Sequence, residues 1–114
     1  MNYTHDDIKK PYYFLIQAKS LVNIKDGFIL VNRDKSLEFL MKYGLTIQDV
    51  KDTILSLTCA DYIDGPEKDR DAHGSVWIFK KELENKIIYI KLKIETNNNE
   101  QKLKCLSFHE DELD

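Results

Sequence analysis

The sequence predicts an α+β domain in which N-terminal helices pack on one face of a C-terminal antiparallel β-sheet. Three observations predict it. Through the first half of the chain, apolar residues recur at three- and four-residue steps, the period of a helix with one buried stripe. From Ile87 to Glu95 they alternate singly: Ile88, Ile90, Leu92 and Ile94 lie on one side, Tyr89, Lys91, Lys93 and Glu95 on the other. That is the period of a strand with one buried face. Short polar loops separate the runs of the second half, so neighbouring strands should pair antiparallel as a meander.

The elements follow in order. Residues 1–10 are polar and read as a loosely held start. Pro11 suits the first turn of a helix, and Phe14, Ala18, Leu21 and Val22 form its stripe. Asp26-Gly27 ends that element, and Phe28 to Val31 reads as a short strand. Asp34 opens a second helix with Leu37, Leu40 and Met41 on one face, and Gly44 closes it as a C-cap. Thr46 with Asp49 three positions on resembles a capping box. It introduces a third helix whose stripe is Ile47, Val50, Ile54 and Leu57. Residues 61–74 are acidic and turn-rich around Gly65-Pro66, and read as a loop. Three strands follow: Ser75 to Lys80, Ile87 to Glu95 and Lys102 to Phe108. On the last, Leu103, Cys105, Ser107 and His109 alternate with Lys104, Leu106 and Phe108. Residues 110–114 form an acidic tail.

With 114 residues the chain fits one domain, 1–114. A hydrophobic share of 42% beside a charged share of 32% is globular rather than disordered composition. Cys59 and Cys105 form no CxxC pair and read as small apolar residues or incidental thiols of a reducing compartment. No run approaches the roughly 20 apolar residues of a membrane span. The early run Tyr12 to Ile16 is too short for a signal-peptide core. The expected location is therefore the cytoplasm, with no membrane partner. The net charge of −3 argues against a dedicated nucleic-acid binder. Its distribution qualifies this, because between Lys80 and Lys104 seven lysines stand against four glutamates.

Chemistry concentrates on the alternating strand. If Ser107 and His109 share the face of Tyr89 and Lys91, a phenol, an ammonium and an imidazole converge. Such a trio suits RNA cleavage without a metal. A base takes the 2′-hydroxyl proton, an acid protonates the leaving 5′-oxygen, and a cation stabilises the phosphorane charge. Histidine carries protons near neutral pH, lysine brings compact positive charge, and tyrosine donates a hydrogen bond or stacks on a base. The plainer reading is that these are solvating residues of an open sheet face, with Tyr89 an ordinary cross-strand partner. Asp69, Asp71 and His73 alternate in a loop, but without further ligands at a known spacing they read as a solvated turn rather than a metal site. Trp77 and Phe79 read as core. No nucleophile elbow or glycine-rich phosphate loop is present, and no cofactor is called for.

The order of the motifs carries a resemblance. Ala18-Lys-Ser-Leu-Val22, Arg33 with Tyr43-Gly-Leu45, Leu55-Ser-Leu-Thr58 before Asp61-Tyr62, Val76-Trp77, Tyr89-Ile-Lys-Leu-Lys93 and Leu106-Ser-Phe108 occur in sequence. Over roughly Tyr12 to His109 the chain resembles the MqsR-type toxins of bacterial type II toxin–antitoxin systems. The resemblance implies a RelE-like fold and a metal-independent mRNA endoribonuclease that arrests translation. It also implies a cognate antitoxin that silences it, and association with the ribosome is compatible with that role. Tyr89 matches the family's active-site tyrosine, Lys91 lies two residues on, and His109 matches a C-terminal basic residue. Asp64 and Ile78 stand where the family carries lysine and glutamine, so Lys68 or Arg70 would take over the charge role. The resulting assignment makes His109 the general acid or base and Tyr89 the group that orients the sugar-phosphate. Lys91 and Lys93 hold the phosphate, with Arg70 and Lys68 as further candidates. The alternative is a non-catalytic protein- or RNA-binding module of the same fold.

Overall fold

The computed structural model describes residues 5–70, 72 and 74–112, with side chains described from Lys10 onward. Along the chain run α1 (His5–Val22), β1 (Phe28–Leu30), α2 (Asp34–Tyr43), α3 (Ile47–Ser56), β2 (Tyr62–Lys68), β3 (Ser75–Leu83), β4 (Lys86–Asn97) and β5 (Glu100–Glu110). The strands form one sheet in the order β1-β5-β4-β3-β2. β2 to β5 pair antiparallel in sequence, and β1 joins the outer edge of β5 in parallel. The protein is therefore α+β, with helices first and a largely antiparallel sheet after.

The core lies between the helices and one face of the sheet. Phe14, Ala18, Leu21 and Val22 of α1 are buried, as are Val50 and Ile54 of α3 and the adjoining Leu57. They meet Phe79, Ile88, Ile90, Leu92, Leu103, Cys105 and Phe108 from the strands. Phe14 stacks on Trp77 with ring centroids 4.8 Å apart, which places Trp77 and Phe79 with the core as the sequence suggests. Each of the buried Val, Leu, Ile and Phe side chains contributes about 1.5–3 kcal/mol through removal from water.

Both turn signals before α3 act as read. Gly44 takes the left-handed conformation, φ 63°, and caps α2 with its N–H. The Thr46 side chain accepts from the Asp49 N–H while Asp49 accepts from the Thr46 N–H.

Four local expectations are corrected. α1 starts at His5, so Pro11 sits inside the helix rather than at its first turn. A proline there forfeits one backbone hydrogen bond, but the ring of Pro11 is fully buried and extends the apolar stripe. α2 is rotated from its expected face. Ser36, Phe39 and Leu40 point inward, whereas Met41 is 82% exposed. Phe39 packs on Phe108, and the Ser36 hydroxyl accepts from the Phe108 N–H at 3.0 Å. That bond satisfies a polar group which burial would otherwise penalise. The stretch expected to be a loop contains β2. It is an edge strand with an irregular register, the setting that tolerates Pro66, which has no N–H to donate. Finally, the alternation of β5 is broken. Lys91 pairs with Ser107 but Leu92 with Cys105, leaving Leu106 as an extra residue. This bulge turns Leu103 and Cys105 to the same side as Phe108, and Ser107 and His109 to the opposite side.

Candidate active site

The face of the sheet away from the helices is built by register. Lys80 of β3 stands opposite Tyr89 of β4, and Tyr89 opposite His109 of β5. The next row on the same face is Ile78, Lys91 and Ser107. Two residues along a strand separate these rows by about 7 Å. The Tyr89 and His109 rings stack, with centroids 5.4 Å apart and planes 18° from parallel. A tyrosine, a lysine and a histidine therefore do share one patch. The bulge at Leu106 is what brings Ser107 and His109 round to it.

The chemistry of His109 follows from its contact. Its Nδ1 lies 3.0 Å from the Glu110 carbonyl oxygen. A carbonyl can only accept, so Nδ1 carries the hydrogen in the neutral ring and Nε2 holds the lone pair. Burial, first, and the carboxylate of Glu67, second, push the Tyr89 phenol above its ordinary pKa. Tyr89 is therefore a hydrogen-bond donor at neutral pH, not a phenolate.

Acids border the patch. Asp64 and Glu67 of β2 face Ile78 and Val76. A hydrogen bond with Asp64, then desolvation and the Asp64 charge, hold the Glu67 carboxyl above the usual range, against the pull of Lys91 and Arg70. On the other flank Lys80 Nζ lies 2.9 Å from Asp111 Oδ2.

The remaining expected residues are placed differently. Lys93 is 2% exposed and bonds Asp69 at 2.7 Å, so its ammonium is committed inside the fold rather than open to a phosphate. Lys68 pairs with Ser75, one step from the Glu67–Val76 pair, and so points to the opposite side of the sheet. Arg70 is exposed and near enough to Glu67 to act on it electrostatically, at the rim of the patch. Of the alternating acids, Asp69 is the partner of Lys93, while Asp71 and His73 lie outside the described residues. Among the described residues no group of three or more His, Cys, Asp or Glu could hold a metal.

Lys80 and Asp111 went unrecognised in the sequence. The signal for Lys80 was present, because it alternates with Trp77 and Phe79 and so belongs on the open face. Its row-mates became visible only with the register.

Comparisons with known proteins bear on this patch. A family model described as motility quorum-sensing regulator, toxin of MqsA, matches residues 10–110. The match runs from within α1 through α2 and α3 to the end of β5. No curated protein and no solved structure matches the chain.

Proposed function

This chain belongs to the motility quorum-sensing regulator family, toxins of toxin–antitoxin systems, and on that premise we propose that it is a metal-independent endoribonuclease acting on mRNA. One observation carries the reading: the Tyr89 and His109 rings lie face to face at 5.4 Å, with Lys91 next along the same face.

In the proposed reaction the 2′-hydroxyl attacks the adjacent phosphorus. The O2′–P bond forms, the P–O5′ bond breaks, and a 2′,3′-cyclic phosphate and a 5′-hydroxyl end result. His109 Nε2 takes the 2′ proton, and the protonated ring can deliver a proton to the leaving 5′-oxygen. Lys91 stabilises the charge that develops on the non-bridging oxygens. Tyr89, kept protonated, donates to a phosphate or sugar oxygen. Arg70 reinforces the positive field from the rim. A neutralising antitoxin is the expected protein partner, and an mRNA substrate implies action in the cytoplasm, free or at the ribosome.

Asp64 and Glu67 at the edge of the patch favour a second reading, a non-catalytic binding module, because carboxylates disfavour phosphate. One experiment separates the two. The protein is induced alone and transcript 5′ ends are mapped, with His109→Ala in parallel. The nuclease reading expects growth arrest and new 5′-hydroxyl ends from the wild type. In the variant both should fall by about 10²–10⁴-fold, the usual contribution of a general acid–base group, with unchanged thermal stability. A fully toxic His109→Ala, or an arrest without new ends, would sink it.

A further inference from the structure

The cations of the open face are unevenly committed. Lys93 is buried against Asp69. Lys80, which shares the row of Tyr89 and His109, keeps about a third of its side chain in solvent and meets Asp111 at 2.9 Å. Asp111 is not a freely moving tail residue. Its backbone N–H donates to the Ile87 carbonyl at 2.7 Å, which continues the ladder one residue beyond Glu110, the end of β5. Its carboxylate is only 11% exposed and reaches over β4 to Lys80. A carboxylate thus sits on the ammonium of the lysine that shares the stacked rings' row, fixed there by the backbone.

We infer that Lys80 is a further phosphate-holding residue of this face, and that Asp111 occupies it as an internal stand-in for an RNA phosphate. The inference rests on the reading of this face as an RNA site. Carboxylate and phosphodiester oxygens offer an ammonium the same anionic acceptor. A partly exposed ion pair is weak enough for one anion to replace the other. RNA then binds by exchange, with phosphate in and Asp111 out, and the chain carries its own competitor. Placing Lys80 here also supplies a cation to a patch whose β2 border presents Asp64 rather than a base.

The test measures binding of a 2′-O-methyl oligoribonucleotide, which lacks the attacking hydroxyl and cannot be cleaved. The proteins are wild type, Asp111→Asn, Lys80→Met and the double variant, over a range of salt. Asp111→Asn should bind about three- to five-fold tighter, the range of a partly exposed pair. Its log K should fall more steeply with log salt than the wild type's, because in the wild type salt also weakens the competing Lys80–Asp111 pair. Lys80→Met should bind more weakly than wild type. In the Lys80→Met background the Asp111 substitution should change nothing.

Three results overturn the inference. They are no tightening in Asp111→Asn, no binding by any variant, and equal tightening with and without Lys80, which would make Asp111 a diffuse repeller. Asp111→Ser repeats the comparison should the asparagine variant unfold. If the cycle holds while the wild type generates no new transcript ends, the cleavage reading fails and Lys80 keeps its role.

Discussion

The two faces of β4 are made from the same twelve residues and have opposite fates. Ile88, Ile90 and Leu92 are fully buried under the helices. Tyr89 and Lys91, between them, stay partly open and meet His109 and Ser107 across the strand. The helix face is satisfied by shape and apolar area, so every residue there has a packing reason. The open face holds a stacked tyrosine–histidine pair, a lysine and bordering carboxylates, arranged by register rather than by burial. Lys93 marks the boundary. By alternation it belongs with Tyr89 and Lys91, but it is sealed in an ion pair with Asp69. One strand period can thus place a residue on a face without deciding whether that residue is available.

The comparison can be broken from the packed side with the largest effect. Phe108→Ala should cost about 3–5 kcal/mol, because the ring is fully buried and packs on Phe39. Chemical denaturation measures this. A loss below about 1 kcal/mol would mean that the helix face is looser than its burial implies.

Lys93→Met sharpens the boundary. It leaves Asp69 with a buried charge whose ammonium partner is gone, and breaking one side of such a pair costs up to about 3–5 kcal/mol. The Asp69 side chain is still 14% exposed, so a loss nearer 2 kcal/mol is expected once solvent screening is counted. Exchanging both partners for apolar residues should recover much of it. If the double variant were no better than Lys93→Met alone, the pair would not be the reason that Lys93 is buried.

The smallest effect lies on the open face. Folding holds the Tyr89 proton more tightly than the unfolded chain does. The resulting stability is complete below the ordinary phenol pKa of about 10 and disappears as pH rises through the higher folded value. Tyr89→Phe removes that dependence, so its melting temperature should fall less steeply than the wild type's between about pH 9 and about pH 12. Parallel curves would show that the phenol is not perturbed in the folded state.

Much of this was legible in the chain. The stripe of α1, the Gly44 cap, the Thr46–Asp49 box and the alternation of β4 depend on neighbours within four residues, and local chemistry fixed them. β2 was missed because Gly65-Pro66 punctuates it like a loop, and only its place at a sheet edge allows a strand there. The face of α2 was misread because Ser36 is polar. Its inward position depends on a bond to Phe108, 72 residues away. Cys105 alternates with His109 on paper, yet it is fully buried in the core, where desolvation pushes its thiol up to about 12.

By itself, the sequence determined which side chains could do chemistry, namely a phenol, an imidazole and several ammonium groups on two neighbouring strands. It also determined the helical first half that covers their backs. Tertiary structure alone decided which of those groups meet. One extra residue at Leu106 turns His109 toward Tyr89, Asp69 takes Lys93 out of reach, and Asp111 is laid on Lys80. The physical reason is that periodicity is a property of consecutive residues. Register, bulges and ion pairs are agreements between segments far apart, and they exist only once the chain has closed on itself.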